Sequence, residues 1–445
     1  MDRKKIILIA PNPWIIEDLH KFEDKYEFIY LEGDFQKKRF KLRELFYLLK
    51  GYNIEWASDF AIKEMRRLGA DAILGIDEFM SCLIANRANH KLGNPEIPLD
   101  LALTLQHKYY SRILQKKYIP KYVPEFFVYG EKEIDGPVFI KPFRGAASLL
   151  SHACHNKAEL EEAMDVPLIP KMFYLRLLRN FEKLTQKYAK LPRISNAWHV
   201  EKLMEGVQVT LEGFVYQGKN TIIGVTDSIM YPNSKIAFRR FDYPSALPTE
   251  IQDKMHAISR KFIDSLDYTH GFYNIEFFYS PQNGEIKVIE INPRMAFQFN
   301  DLYEKVDGIN TLEILLKMSV GEEVTYRWGE GKFKKASSFI LRQFSDGYVH
   351  SIPNKYQIQE AKQYYPDLKL MIDCHEGKKL SSDLFQDTES FKVMTANIGE
   401  QSMEALERKY HHLLQLLPFE IERDYKEEST LIRLLKKVFK KLRST

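Results

Sequence analysis

Cysteine is nearly missing. Cys82, Cys154 and Cys374 are the three thiols in 445 residues, and their spacing shows no pairing. This argues against a disulfide framework and for a reducing compartment. His152 and His155 bracket Cys154, but no second ligand pair stands at structural-zinc spacing, so zinc is not expected. Long apolar runs are missing as well. No stretch approaches the length of a membrane span. The apolar run Ile6–Ala10, behind Arg3-Lys4-Lys5, is too short for a signal peptide and reads as a first buried strand of a cytoplasmic protein. Charge of one sign is not in excess: 65 Lys and Arg against 61 Asp and Glu leave +4, too little to argue for a nucleic-acid partner. Internal repeats and low-complexity linkers are absent too.

What remains is ordinary for a packed protein, 44% hydrophobic and 28% charged, long enough for two to four units. Up to about residue 100, strands (Ile6–Ala10, Phe28–Leu31, Asp71–Gly75) alternate with helices (Ala57–Leu68, Phe79–Leu92), which predicts a parallel α/β sheet. In the first helix Phe60, Ile62, Met65 and Leu68 fall near one face. Such sheets bind ligands at the carboxyl ends of their strands, so Glu78 is a candidate substrate contact. A helix over 101–120 carries Lys108. Val138–Lys141 is a strand kept extended by Pro142, followed by the small-residue loop Arg144 to Ser148. Backbone N–H groups there could lie along phosphates, with Lys141 as a point charge, although this is no Walker A loop. A strand and turn over Trp198–Gly206 and strands at Val207–Tyr216 and Thr221–Asp227 follow, then an amphipathic helix over 249–266 and another over 311–320. Past 330 the pattern is α+β, with strands at Ala336–Leu341, Gly347–Ile352 and Lys369–Ile372 and a helix near Ser402–Leu417.

The most informative stretch is a hairpin, Gly271–Tyr279 and Ile286–Arg294, around a turn at 280–285. Glu276 and Glu290 interrupt its apolar strands. Glu290, Asn292 and Arg294 share a face by strand alternation. A two-residue Asn283-Gly284 turn would put Glu276 on the opposite face. A three-residue loop, Gln282 to Gly284, pairs Glu276 with Glu290 and uses Gly284 at its left-handed position. The wider loop is expected, because buried carboxylates need a partner. Glu276, Glu290 and Asn292 then make a hard-oxygen site suited to Mg²⁺, with Mn²⁺ as the alternative, and Arg294 is a fixed cation for phosphate or carboxylate.

Glu-Ile-Asn-Pro-Arg at 290–294, the acidic hairpin, Lys108, Lys141 and Glu201-Lys202-Leu203 together resemble the ATP-grasp superfamily, over residues 1 to about 420 and most strongly over 199–310. The resemblance implies an ATP-grasp fold of α/β and α+β units: an N-terminal parallel α/β domain over 1–105, a two-lobed ATP-grasp domain over 106–325, a C-terminal α+β domain over 326–425 and a tail over 426–445. It implies ATP and Mg²⁺ as cofactors, with Glu276, Glu290 and Asn292 on the metal. Lys108, Lys141 and Ser148 would meet the phosphates. Glu201 would accept from the adenine amine, with Lys202 and the backbone near Leu203 at the ring, and Gln208 would reach the ribose where relatives have an acid. Lys141 and Arg294 would be catalytic.

The length, the Glu78 region and the C-terminal unit resemble the branch of biotin carboxylase and amino-acid ligases. Thr226–Tyr243 has no clear match to the basic bicarbonate segment. Where many relatives have Pro-Gly-Gly after the arginine, this chain has Met295-Ala296-Phe297. The expected activity is an ATP-dependent carboxylate–amine ligase, forming an amide or peptide bond through an acyl phosphate and releasing ADP and phosphate. Its partners are a small carboxylate and an amine; a homodimer is compatible. The alternatives are a bicarbonate-dependent carboxylase and an ATP-binding regulatory or scaffolding protein without turnover.

Past Glu428, Leu431, Leu434, Leu435, Val438, Phe439 and Leu442 repeat at helical spacing among six cations. This basic amphipathic helix suits an anionic membrane surface or, equally, packing on the enzyme itself or on a second subunit.

Overall fold

The computed structural model describes residues 3–31, 53–76, 79–143, 151–164, 179–194, 198–232, 234, 236–382 and 390–423. Glu78, the loop Arg144 to Ser148 and the basic tail lie outside the described residues. No described helix is long and apolar enough to cross a membrane.

The first unit contains β1 (Lys4–Ile9), α1 (Pro13–Leu19), β2 (Tyr26–Leu31), α2 (Ile54–Leu68), β3 (Ala72–Leu74) and α3 (Phe79–Leu92). The strands form the expected parallel sheet, in order β2-β1-β3. Pro11-Asn12-Pro13 does more than end a strand. Asn12 accepts from the Ile15 N–H and caps α1, with Pro13 in its first turn. Helix α2 corrects one expectation. Its buried stripe runs through Ile54, Ser58, Ala61 and Ile62, so Phe60 points away, 42% exposed and stacked on Trp56.

The expected single helix over 101–120 is two, α4 (Leu99–Gln106) and α5 (Lys108–Tyr118), broken at His107. The His107 side chain explains the break. It caps α5 at the Tyr110 N–H, contacts Glu182 at 2.7 Å and stacks on Phe143. A small sheet follows, made of β4 (Phe126–Val128), β5 (Val138–Pro142), β6 (His152–Cys154) and, after α6 (Lys157–Met164), β7 (Trp198–Lys202), in order β4-β7-β5-β6.

The remaining elements build around one large sheet. They are β8 (Val207–Tyr216), β9 (Lys219–Met230), β10 (Phe238–Tyr243), α7 (Thr249–Ile263), β11 (Gly271–Tyr279), β12 (Ile286–Asn292), α8 (Asn300–Asp307), α9 (Thr311–Ser319), β13 (Lys335–Gln343), β14 (Gly347–Ser351), α10 (Lys355–Tyr364), β15 (Lys369–Ile372), β16 (Phe391–Glu400), α11 (Met403–Leu416) and β17 (Glu420–Arg423). Eight of these strands order as β12-β11-β8-β9-β10-β13-β16-β15. The sheet therefore runs without interruption across the boundary expected at 325/326. Helix α7 buries Ile251, Met255, Ile258 and Phe262 against one core, with Val209, Ile275 and Phe277. A second core joins the N-terminal unit (Leu8, Leu74) to Phe241, Phe297 and Leu312.

Close approach at Gly75, just past β3, holds the N-terminal unit's shape. A Cβ there would fall 2.2 Å from the backbone carbonyl of Ser81. Gly75→Ala should destabilise by about 2 kcal/mol or more through overpacking against backbone. Gly69→Ala, where a Cβ meets nothing within 4 Å but φ is +61°, should cost only about 1 kcal/mol. Urea denaturation of the two variants measures the difference.

Candidate active site

The hairpin pairs Glu276 with Glu290 and Asn274 with Asn292, as the expected register requires. The device that achieves this differs from the expected three-residue loop. Ser280 and Glu285 close a four-residue loop, with Gly284 at φ +70°. Phe277 then pairs with Val288, so Ile289 is an extra residue, a β-bulge. Below the bulge Ile286 and Val288 face the core; beyond it Ile291 does, and the phase has switched. The bulge thereby turns Glu290 and Asn292 to the side of Glu276.

Arg112, which the sequence reading missed, holds this bulge. It is 2% exposed, and its guanidinium donates to the Val288 and Ile289 carbonyls, both at 2.7 Å. It also donates to Gln115 Oε1 at 2.7 Å and to Glu201 Oε1 at 2.6 Å. Lys141 Nζ donates to the other Glu201 oxygen at 2.9 Å, and His199 Nε2 lies 2.8 Å from Oε1. Glu201 is 1% exposed. Burial alone would push its carboxyl up, but Arg112 and Lys141 overcome that and hold it well below the usual carboxylate range. Burial lowers His199 to about 4, so its imidazole is neutral and Nε2 is the donor.

Lys108, first in α5, lies one helical turn before Arg112 and donates to Glu290 Oε2. That i,i+4 pair of cations was the available signal for Arg112. Burial lowers the Lys141 ammonium from its ordinary value; Glu201 opposes the shift, and Lys108 adds to it. Glu276 behaves oppositely. Burial, then the Glu290 charge, push its carboxyl up to about 7 against Lys108 and Arg294. Gln208 Nε2 donates to Glu276 Oε2 at 3.2 Å. Asn292 Nδ2 reaches Glu276 Oε1 at 3.4 Å and Asn274 Oδ1 at 3.1 Å. The Asn292 contacts use its NH₂, leaving the amide oxygen to face a cation.

Seven of the expected residues therefore gather in two linked clusters: Glu276, Glu290 and Asn292 on the hairpin with Lys108 and Gln208 against them, and Glu201 with Lys141 beside it. Arg294 follows directly, its NH1 donating to the Met295 carbonyl at 3.1 Å. Lys202 is exposed at the end of β7, and the Leu203 N–H is taken by the Pro137 carbonyl at 3.1 Å. Ser148 lies outside the described residues.

Two crowded carboxylates, one of them hard to ionise, beside an amide oxygen are a donor set that a small divalent cation would relieve. Among the described residues no group of three or more His, Cys, Asp and Glu could hold a metal. A cation held there would complete its shell with water or with oxygens of a bound ligand.

Residues 134–299 match the family model of the ATP-grasp domain. The chain has the ATP-grasp fold. Among solved structures it superposes on the L-amino acid ligase of Bacillus licheniformis with a TM-score of 0.70 at 16% identity, covering 96% of this chain and 100% of that one. It matches phosphoribosylglycinamide synthetase of Anaerococcus prevotii at 0.64 and 13% identity, covering 94% and 100%. The biotin carboxylase domain of Hydrogenobacter thermophilus 2-oxoglutarate carboxylase, a dimer crystallised with MgADP, ADP and bicarbonate, gives 0.65 at 13% identity, covering 95% and 92%. No curated protein matches the chain in sequence.

Two outcomes test this geometry. Arg112→Leu strips the bulge carbonyls and one flank of Glu201, and should destabilise by about 3–5 kcal/mol in urea. The second concerns Glu276. In the folded chain its carboxyl is pushed up to about 7, above its ordinary value of 4.5. Its protonated form therefore contributes stability at and below pH 4.5 that is lost as pH rises to about 7, on the order of 3 kcal/mol. In nucleotide-free protein Glu276→Gln should change stability little at pH 5 and raise it by a few kcal/mol at pH 8, read from thermal unfolding across pH.

Proposed function

We propose that the protein is an ATP-dependent carboxylate–amine ligase that forms an amide through an acyl phosphate and releases ADP and phosphate. The observation that supports this most is the meeting of Glu276, Glu290 and Asn292, on one hairpin of an ATP-grasp fold, with Arg294 at its end and Lys108 and Lys141 from neighbouring elements.

Glu276, Glu290 and Asn292 would hold Mg²⁺ or Mn²⁺, which would neutralise phosphate charge when bound. Lys108 and Lys141 supply cations close to those acids, where ATP phosphates would lie, with Ser148 as a further contact. Lys141 is kept in place by Glu201. The Glu201 carboxylate is committed to Arg112, Lys141 and His199, so an adenine would meet the backbone beyond Lys202, around Leu203. Gln208, engaged with Glu276, orients a metal carboxylate at least as directly as it serves a ribose. Arg294 stabilises charge as a substrate carboxylate attacks the terminal phosphate. An amine then displaces phosphate from the acyl carbon. The chain's own contribution is position and charge, with no covalent intermediate on the protein.

The test is phosphate release across pairs of carboxylic acids and amines, with bicarbonate as one of the acids. ADP and phosphate are expected, together with a hydroxamate when hydroxylamine replaces the amine. AMP and pyrophosphate as products, or turnover driven by bicarbonate without an amine, would overturn the reading. Glu290→Gln should lower turnover by roughly 100-fold or more while the protein stays folded.

A further inference from the structure

A cavity of about 50 Å³ lies behind the hairpin, where the end of β3 meets the start of β11. Gly75, Asn86, Glu96, Gln106, Gly271 and Arg294 are among the residues that line it. Its polar lining apart from Arg294 is rich in acceptors. Asn86 is 5% exposed; its NH₂ is fixed on the Ile97 carbonyl at 2.6 Å, and its Oδ1 accepts no hydrogen bond among the described residues. Gln106 is 6% exposed, and its Oε1 is likewise without a donor. Glu96 is held by the Ile97 N–H at 3.2 Å and Asn89 Nδ2 at 3.1 Å. Burial pushes its carboxyl up, more than those two donors lower it. Each buried acceptor left unpaired costs about 1–3 kcal/mol.

An ammonium answers this lining: it brings three donors, no acceptor and a positive charge. An anion would find Arg294 but would also meet a carboxylate and two amide oxygens without donors. Water, needing roughly 10–15 Å³ on the same measure, fits but leaves the carboxylate charge unmatched. Arg294 lines the cavity and also acts electrostatically on Glu276, so a carboxylate on the same carbon as the ammonium would be drawn toward it. We propose that the cavity binds the α-ammonium of an amino acid whose carboxylate is the group activated. This rests on the ligase reading and adds to it a substrate class and a direction. The amino group of the activated acid is buried and protonated, so it cannot be the nucleophile, and the amine that attacks belongs to a second molecule.

The experiment compares L-amino acids with their des-amino counterparts, such as L-alanine with propionate, in ATP-dependent hydroxamate formation. The amino acids that turn over should exceed their counterparts by roughly 100-fold or more in kcat/KM. Glu96→Gln and Gln106→Leu should each shrink that ratio about tenfold, with thermal unfolding confirming that at least one variant folds. Des-amino acids that work equally well, or a ratio that survives the folded variants, would overturn the assignment. Calorimetric titration of the same pairs, in the presence of Mg·ADP, separates the two readings. Selective binding of amino acids without any turnover keeps the cavity assignment and sinks the ligase. Equal or absent binding of both members of every pair sinks the cavity assignment.

Discussion

The buried pair of Arg112 and Glu201 is the constraint from which the rest of the site follows. Burying two opposite charges is costly, and the pair persists because almost every polar atom in it has a second use. The Arg112 fork reaches two carbonyls at the bulge as well as Gln115 and the carboxylate. Glu201 in turn carries Lys141 and His199. Three pieces of chain distant in sequence, α5, β7 and the acidic hairpin, are thereby held at fixed separation. The bulge sets which way Glu290 and Asn292 face, so a side chain on a helix decides whether they stand on the side of Glu276. A lysine in place of Arg112 would keep the charge but not the planar fork.

The second consequence is an uneven division of charge. Lys141 is matched by Glu201 and Lys108 by Glu290. Among the described residues Glu276 has amide donors at hydrogen-bond distance, Gln208 and Asn292, and its carboxyl is the one displaced toward neutrality. A site in which one carboxyl resists ionisation until a cation arrives is poised rather than relaxed. Binding of a divalent cation and proton release at Glu276 would be linked, because the cation's charge favours the ionised carboxyl that burial and Glu290 disfavour.

How far all this was legible in the chain depends on which force set each feature. The Glu276–Glu290 pairing followed from the cost of burying an unpartnered carboxylate, and it holds. The loop invoked to produce it does not, because a four-residue loop with a bulge gives the same register at the site. Ile286, Val288 and Ile291 carried that information, since their spacing changes phase between 288 and 291, but a phase change is easily absorbed into a continuous apolar run. The parallel sheet, the strands at 207–216 and the C-terminal elements were set by local pattern and were readable. The break at His107 was not, because it is caused by Glu182 and Phe143, which are remote in sequence. Phe60 misled for the opposite reason: hydrophobicity alone assigned it to a face that the helix period, read from Ile54 onward, places outside.

The His107 break also links the two halves of the molecule's chemistry. One residue before it, Gln106 ends α4 and lines the cavity; one residue after it, Lys108 opens α5 and reaches Glu290. A continuous helix would fix Gln106 and Lys108 about 200° apart around one axis, whereas the break lets each helix set its own direction. With the kink, the N-terminal unit presents acceptors from α3, α4 and the loop between them. The hairpin presents carboxylates and cations, and Arg294 touches both. The proposed recognition and phosphate chemistry would thus rest on separate elements that share a joint. Residues around the cavity can change without disturbing the bulge, whereas Arg112 and Glu201 cannot, because they hold the geometry on which either half would act.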